Sequence, residues 1–390
     1  MKALNSTISA IEPSVTLAIS SQAAALRKQG VQVCTFAAGE PDFDTPECIR
    51  RACQKALDEG KTRYTPVAGI PELREAIAEK LLSFNHIAYS PSQILVSCGG
   101  KHSLALAFQT LLCPGDEVII PAPYWLSYPQ MVRIAGGTPK FISAGWEQNF
   151  KITPEQLEEA IGTKTKALVL NNPSNPTGMV YTPEELKALA DIALKHDLWI
   201  VSDEIYERMV YGTAKFASVA SFGPEYHERT ITVSGMSKTY AMTGWRLGYT
   251  AAPQPFIKAM TALQSHTASA PTTFSQWGGV AALREAEPDV QKMVSAFAAR
   301  RERIVELMQA IPGIHCPKPE GAFYIFANVA EFGLDSVSFC SKLLAEQQVA
   351  AVPGLAFGND NCIRLSYACS MENIEAGLAR IAQFCASLRH

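Results

Sequence analysis

The sequence predicts an α/β fold in which a large domain with a mainly parallel sheet carries a smaller α/β domain. Short apolar runs alternate with helical patterns along most of the chain, polar residues follow these runs directly, and the pattern changes near residue 285. At 390 residues the chain exceeds what one hydrophobic core usually supports. Its 47% apolar and 18% charged residues are typical of a compact globular protein.

The predicted strands are short runs rich in Val, Ile and Leu. In chain order they read ILVSC, EVIIP, KALVLN, LWIVSDE, TITVSG and RLGYTAA. Their alternation with helices is typical of a parallel sheet with crossover connections. One helix is expected between Thr182 and His196, because Thr182 can cap it, Pro183 suits its first position and Glu185 completes a capping box. Its leucine face should pack on the sheet.

We divide the chain into three parts. Residues 1–46 form an N-terminal segment that belongs to the small domain, residues 47–284 form the large domain, and residues 285–390 form the small C-terminal domain. The second boundary rests on a long charged amphipathic stretch, EPDVQKMVSAFAARRERIVELMQAI, which shorter strand and helix signals follow.

Charge and cysteine usage exclude several classes of partner. The net charge of −3 gives no global field for holding nucleic acid or an anionic membrane. The ten cysteines form no CxxC pair and there is no His cluster at metal spacing, so we expect free thiols in a reducing compartment and no metal site. No signal-peptide region appears, and no apolar run approaches the roughly 20 residues of a membrane span. We expect a cytoplasmic protein that acts on small molecules.

Several familiar motifs are incomplete or missing. GGKHS lacks the first glycine of a phosphate loop and has histidine where Ser or Thr is required. No GxGxxG follows a predicted strand, and neither GxSxG nor HExxH occurs. Gly235 occupies the serine position of an SxxK motif that would end at Lys238. Dinucleotide-binding and acyl-serine sites are therefore excluded.

Polar and aromatic residues follow five of the predicted strands. These are CGGK after ILVS, YW after VIIPAP, NNPSNPTG after ALVL, DEIY after WIVS and GMSK after ITVS. In open α/β sheets, ligands bind outside the carboxyl ends of the strands. We therefore expect a lysine, an acid, an asparagine and stacking aromatic rings to meet at one edge of the sheet.

Lys238 follows the last of these five strands. A charged lysine loses solvation at the end of a buried strand, and full burial lowers its pKa by up to about 3–5 units. The neutral amine is a nucleophile that forms a Schiff base with an aldehyde. Lysines are rarely buried, so Lys238 alone would be interpreted as a surface lysine and the neighbouring motifs have to decide.

Four motifs carry a resemblance to a known family, the class I aminotransferases of fold type I. They occur in the order of that family and read AGEPDFDTP (38–46), NNPSNPTG (171–178), VSDEIY (201–206) and SGMSKTYAMTGWRLGY (234–249). The resemblance runs from about Thr35 to the end of the chain. KTRYTPVAGIPELREAIA, VSCGGKHSL and PAPYWLSYP are most like the bacterial aspartate aminotransferases. The resemblance implies an enzyme that uses pyridoxal 5′-phosphate and forms a homodimer with shared active sites.

The resemblance assigns roles around the ring of pyridoxal phosphate. Lys238 would bind the aldehyde and later move a proton as general acid and base. Asp203 would face the pyridine nitrogen and keep it protonated. Asn175 and Tyr206 would bind the phenolic oxygen, and Trp125 would stack on the ring.

The resemblance also assigns residues to the cofactor phosphate. Gly99, Gly100 and Lys101 begin a predicted helix, and backbone N–H groups at a helix N-terminus bind anions. Arg246 would add a charged clamp. Tyr64 would reach the phosphate from the partner subunit.

For the substrate, the resemblance implies an amino acid with two carboxylates. Arg364 would bind the α-carboxylate through its planar guanidinium, and Gly39 would let the chain approach closely. Lys101 would reach the distal carboxylate, with Trp125 and Asn175 lining the same site. The expected reaction is ping-pong transfer of the amino group from L-aspartate to 2-oxoglutarate, which forms oxaloacetate and L-glutamate.

Alternatives remain at the level of residues and of function. Lys101 fits a surface lysine, Trp125 a core tryptophan, Arg364 a structural ion pair and NPSNPTG a plain turn. Other enzymes that fit are an aromatic-amino-acid or prephenate aminotransferase and a β-lyase. Prephenate-using relatives tend to carry a basic residue close to the position of Glu12, which is acidic here. A ligand-sensing domain of a regulator is disfavoured because no segment is left for binding DNA.

Overall fold

The computed structural model describes residues 4–389. The α-helices are α1 (Ser6–Ser9), α2 (Val15–Lys28), α3 (Glu47–Asp58), α4 (Pro71–Ser83), α5 (Gly100–Leu111), α6 (Ser127–Ile134), α7 (Pro154–Ala160), α8 (Pro183–Lys195), α9 (Pro224–His227), α10 (Gln254–Ser265), α11 (Thr273–Glu285), α12 (Glu287–Gln309), α13 (Ser336–Gln347) and α14 (Met371–Ser387). The strands are β1 (Cys34–Thr35), β2 (Ile94–Ser97), β3 (Glu117–Ala122), β4 (Thr138–Ser143), β5 (Thr165–Asn171), β6 (Trp199–Asp203), β7 (Thr230–Gly235), β8 (Gly248–Ala251), β9 (Tyr324–Asn328), β10 (Val349–Ala350), β11 (Val352–Pro353) and β12 (Cys362–Ser366). Among the helices of residues 4–389, none is both long and apolar enough to cross a membrane.

The central sheet has the strand order β2-β8-β7-β6-β5-β3-β4. Strands β3 to β7 pair in parallel, and only β8 runs antiparallel to its neighbours β7 and β2. The α/β fold with a mainly parallel sheet is therefore confirmed. Helices cover the inner strands on both faces, which explains why these strands read as continuous apolar runs.

Strand β4 was not predicted from the sequence. It lies at the edge of the sheet and pairs only with β3. Its residues, TPKFIS, are mostly exposed or half-buried, so they form no continuous apolar run. An edge strand of this kind gives a weak sequence signal because one side of it has no pairing partner.

Helix α8 has the ends that the sequence predicts. Thr182 is the N-cap and its side chain accepts a hydrogen bond from the backbone N–H of Glu185, while the Glu185 side chain accepts one from the N–H of Thr182. Leu186 and Leu189 are buried in a cluster beneath the sheet. Helix α8 is the crossover connection from β5 to β6, and the carboxyl ends of these two strands carry site residues.

The C-terminal part of the chain has its own antiparallel sheet, with the order β11-β12-β9. Strand β1 of the N-terminal segment pairs in parallel with β10, and Phe36 packs in the same core cluster as Phe384. This pairing supports assigning the N-terminal segment to the small domain. The boundaries at residues 46 and 284 stay predictions.

The loop from Gly39 to Thr45 is anchored at two places. Arg300 of α12 donates two parallel hydrogen bonds to the Asp42 carboxylate, at 2.7 and 2.9 Å. At the other end, the Thr45 hydroxyl donates to the backbone oxygen of Ala241 at 2.6 Å. The loop therefore joins the long helix of the C-terminal part to the segment that follows Lys238.

Candidate active site

The predicted site residues of the large sheet lie at one edge of it. Asn171 ends β5, Asp203 ends β6, and Lys238 follows β7 by three residues. Gly99 and Trp125 lie just beyond the carboxyl ends of β2 and β3. Because β2 runs in the same direction as β7, all five strand ends open onto the same edge.

Lys238 is half-buried at this edge. Its Nζ atom donates a hydrogen bond to the backbone oxygen of Gly39 at 2.5 Å. Burial, opposed by the Glu40 carboxylate and assisted by the charges of Arg364 and Arg246, lowers the pKa of Lys238 to about 8. The amine therefore loses its proton far more readily than an ordinary lysine, as a nucleophile for an aldehyde requires.

Asp203 is 4% exposed, and its carboxylate accepts hydrogen bonds from two neutral groups. The Tyr128 hydroxyl donates to its Oδ2 atom at 2.6 Å and the Ile205 N–H donates to Oδ1 at 3.2 Å. Burial raises the pKa of Asp203 to about 6, against the opposing effects of these hydrogen bonds and of the Lys238 charge. Within residues 4–389 it forms no salt bridge, so a bound cation would lower the free energy of the charged form.

Tyr128 was missed from the sequence, although it lies in the quoted PAPYWLSYP motif. It is the second residue of α6 and its ring packs edge-on against Trp125, with ring centroids 5.3 Å apart. Trp125 itself is half-buried. Tyr128 follows Trp125 by three residues. This spacing is a weak signal of a site residue, because it does not show which strand the Tyr128 hydroxyl faces.

Asn175 and Tyr206 lie between the sheet and the C-terminal part. The Asn175 backbone N–H donates to Asn171 Oδ1 at 2.8 Å. The Tyr206 hydroxyl is 2.8 Å from the hydroxyl of Tyr324, which is on β9 and was also missed from the sequence. Both phenols are buried, and burial raises the pKa of each. They therefore stay protonated near neutral pH and can donate hydrogen bonds.

Arg364 is 2% exposed in the middle of β12. Its Nη1 atom donates to Asn175 Oδ1 at 3.0 Å, and its Nη2 atom donates to the Ala37 backbone oxygen at 3.1 Å. The guanidinium lies 4.5 Å from the centroid of the Tyr324 ring. Among the described residues it has no acidic partner, and its buried Nε atom has no hydrogen-bond acceptor.

A buried guanidinium without a carboxylate is costly unless a ligand supplies the anion. The structural ion pair considered from the sequence is therefore not formed at Arg364. Gly39 lies beside it, because a Cβ atom on Gly39 would be 3.0 Å from the Tyr324 hydroxyl and 4.0 Å from Arg364 Nη2. Any side chain at position 39 would crowd the space next to the arginine.

A glycine-rich turn leads into α5. Gly99 has φ +89°, and a Cβ atom there would be 2.6 Å from Arg246 Nη2. A Cβ atom on Gly248, which the sequence did not single out, would be 2.2 Å from the Gly100 nitrogen. Arg246 is exposed and donates from Nη1 to the Thr243 backbone oxygen at 2.9 Å. The absence of side chains at Gly99 and Gly248 lets Arg246 and the Gly100 backbone approach closely, so the turn combines backbone N–H groups with a cation, which suits a phosphate.

Three of the predicted site residues are exposed, namely Lys101, Tyr64 and Arg246. The Lys101 Nζ atom is 5.0 Å from the centroid of a Trp125 ring, so its side chain points toward the site. Burial around its amine and the nearby Arg246 lower the pKa of Lys101. Tyr64 is 94% exposed and projects away from its own chain.

Comparison with known proteins agrees with this geometry. The family model for aminotransferases of class I and II matches residues 31–381. An aspartate aminotransferase of Geobacillus stearothermophilus is 48% identical, with 97% of each chain covered. A probable aspartate/prephenate aminotransferase of Aquifex aeolicus is also 48% identical, over 97% of this chain and 98% of the relative.

Among solved structures, the aspartate aminotransferase of Thermus thermophilus with maleate superposes with a TM-score of 0.95. It is 44% identical, and the match covers 98% of this chain and all of that one. The chain therefore belongs to the class I and II aminotransferase family. The enzyme class inferred from the motifs is confirmed, whereas the roles of individual site residues stay predictions.

Proposed function

We propose that this chain binds pyridoxal 5′-phosphate and transfers the amino group of L-aspartate to 2-oxoglutarate. The observation that carries the proposal is the meeting of two groups at Gly39. The Lys238 amine donates to its carbonyl, and the Arg364 guanidinium lies beside its Cα without an anion. A reactive amine next to a buried arginine that has no acidic partner among residues 4–389 suits a reaction on an amino acid.

The chain's residues fit each functional group of this cofactor. Lys238 suits the aldehyde, and Asp203, which lacks a cationic partner in the described chain, suits a protonated pyridine nitrogen. Tyr206 suits the phenolic oxygen. The turn from Gly99 to Lys101 suits the phosphate. No group of residues in the described range 4–389 is arranged to hold a metal ion.

When bound, pyridoxal phosphate supplies an aldehyde that captures amino groups and a protonated ring that withdraws electrons from the substrate Cα. Lys238 Nζ then takes the proton from Cα, and its lowered pKa suits this role of general base. Asp203 holds the proton on the ring nitrogen. Tyr206 and Asn175 orient the ring oxygen, and Trp125 covers one face of the ring.

The dicarboxylic substrate is supported by two cations, Arg364 and Lys101, that both lie close enough to Lys238 to lower its pKa. Arg364 binds the α-carboxylate in a buried position, and Lys101, at the start of α5, binds the distal carboxylate. The Thermus relative was solved with maleate, which carries two carboxylates. The exposed Tyr64 supports a homodimer in which each subunit adds this phenol to the phosphate site of its partner.

The proposal is tested by following the absorption band of the bound cofactor. We expect L-aspartate to bleach the band and 2-oxoglutarate to restore it, with oxaloacetate and glutamate formed in equal amounts. Lys238→Ala should bind the cofactor without exchange, and Lys258→Ala, on the exposed face of α10, is the matched control. A band that neither acid changes, or release of pyruvate as by a β-lyase, would contradict the proposal.

Prephenate is a second candidate acceptor, because the Aquifex relative is named for aspartate and prephenate. The acidic and exposed Glu12 disfavours it. The test mixes prephenate or oxaloacetate with enzyme that has already taken the amino group from glutamate. We expect exchange to be at least about tenfold slower than with oxaloacetate, a difference of about 1.4 kcal/mol in barrier.

A further inference from the structure

The turn after β6 has a second buried side that faces away from the candidate site. Asp203 and Tyr206 contact the tyrosines of the site, whereas Glu204 and Glu207 are buried among different partners. Glu204 is 1% exposed and Glu207 is 4% exposed. Two buried carboxylates so close to the site require an explanation, because burying charge is costly without compensation.

Glu207 is held by three groups, which come from α4, the loop after α4 and β7. Its carboxylate forms a salt bridge with Lys80 of α4, whose side chain is 10% exposed. The Asn85 amide donates to its Oε2 atom at 2.7 Å, and the Ser234 hydroxyl of β7 donates to Oε1 at 3.1 Å. This carboxylate therefore ties α4 and β7 to the turn that carries Tyr206.

Glu204 completes the network without adding a second charge. The Ser202 and Ser218 hydroxyls donate to its Oε1 atom at 2.8 and 2.6 Å. Burial, and then the neighbouring Glu207, raise the pKa of Glu204 to about 8, so this carboxyl is largely protonated at neutral pH. The network then holds one ion pair, Lys80 with Glu207.

We propose that Glu207, paired with Lys80, is a positioning residue that holds Lys238 and Tyr206 in register for the transfer reaction. Ser234 lies four residues before Lys238 on the same segment, and Glu207 directly follows Tyr206. The backbone N–H of Glu204 also donates to the Val233 oxygen at 2.8 Å, which joins the turn to β7. The Glu207 carboxylate thus accepts a hydrogen bond from the segment that carries Lys238, and Glu207 itself is the sequence neighbour of Tyr206.

The position of reacting groups matters because a displacement of about 1 Å can cost about a hundredfold in rate. A purely structural ion pair would act differently, since its loss would lower stability without changing the geometry of the site. This inference rests on the proposed function, because it concerns the rate of that transfer. The test therefore has to separate rate from stability.

The experiment compares Glu207→Gln and Ser234→Ala with a matched core variant, Leu378→Ala, in holoenzymes. Leu378 is 2% exposed on α14, so its truncation lowers the melting temperature away from the turn. We expect both network variants to lower kcat about tenfold or more, with KM for aspartate within about twofold. The circular dichroism of the cofactor band, which reports its orientation, should change in the network variants only.

The inference is overturned if Ser234→Ala and Glu207→Gln melt earlier but keep the kcat and dichroism of the wild type. If Glu207→Gln does not fold, Ser234→Ala decides alone, since it removes one hydroxyl and leaves the ion pair. A wild-type protein that shows no cofactor band or exchange contradicts the proposed function instead. Active variants beside an active wild type contradict only the positioning role.

Discussion

The two sides of the turn after β6 both bury a carboxylate, but they treat it differently. Glu207 has a cationic partner, Lys80, and two further hydrogen-bond donors. Asp203 receives only the Tyr128 hydroxyl and one backbone N–H. Among residues 4–389, Glu207 forms a salt bridge, whereas Asp203 forms none and is influenced by the Lys238 charge without direct contact. A ligand that brings a cation would supply that contact to Asp203.

Two arginines show the same contrast for positively charged side chains. Arg300, on α12, has a bidentate carboxylate in Asp42, whereas the partners of Arg364 among residues 4–389 are an amide oxygen, a backbone oxygen and two aromatic faces. Arginines with an acid partner support the fold here. The buried arginine without one marks the place where a substrate carboxylate would bind.

Replacing Asp203 with Asn should have the largest effect and breaks the comparison most directly. Without the charge that holds the ring proton, kcat should fall by at least about a hundredfold, the scale for losing one preorganised electrostatic group. Steady-state exchange of aspartate with 2-oxoglutarate measures it. Activity within about threefold of wild type would show that the site does not need this charge.

The same substitution should stabilise the cofactor-free protein above pH 6. The pKa of Asp203 rises from the ordinary 3.8 to about 6 on folding, so the folded state binds more protons between these values. Stability contributed by the protonated carboxyl is thus lost as pH rises through about 6. Thermal unfolding from pH 4 to 7.5 should show Asp203→Asn gaining on wild type across this window, and a constant difference contradicts the assignment.

Arg364→Lys should come next in size. The lysine keeps the charge but loses the planar fork, and a hydrogen bond to a charged group contributes about 1.5–3 kcal/mol. We expect kcat/KM for aspartate to fall about 10- to 150-fold. Arg303→Lys, at an arginine that already has the acid partners Glu375 and Glu306, is the control and should change kcat/KM far less.

Lys101→Ala sharpens the comparison because it removes an exposed cation rather than a buried one. The loss should be smaller, about tenfold in kcat/KM for aspartate, and alanine as substrate should be nearly unaffected. Parallel assays with the two amino acids give the ratio. Equal losses for both would mean that Lys101 does not bind the distal carboxylate.

Tyr324→Phe should have the smallest effect. It removes the hydroxyl that contacts Tyr206 but keeps the ring beneath Arg364, and one neutral hydrogen bond contributes about 0.5–1.5 kcal/mol. We expect kcat to fall about two- to tenfold with little change in KM. A large rise in KM would instead indicate that the hydroxyl binds substrate.

Much of this site could be predicted because its residues follow strands whose apolar runs are conspicuous. Lys238, Asp203 and Asn175 lie at strand ends, where parallel topology brings them together. Tyr324 could not be found in this way, because its contact with Tyr206 depends on how two separate sheets pack. The edge strand β4 escaped prediction because its residues are only partly buried.

Tyr64 shows a different limit of prediction. Its place at a phosphate was implied by resemblance, and one chain leaves it 94% exposed. The contact would require a second subunit, which no local pattern of residues describes. Glu207 shows a third limit, since an acidic residue next to a tyrosine predicts exposure and not burial.

The loop anchored by Asp42 and Thr45 has a mechanical consequence. One anchor is on α12, the other is on the segment that follows Lys238, and the Gly39 carbonyl lies between the amine and Arg364. A rotation of the C-terminal part about the sheet must either carry this carbonyl along or break an anchor. Such a rotation would therefore change the distance between the Lys238 amine and the Arg364 guanidinium.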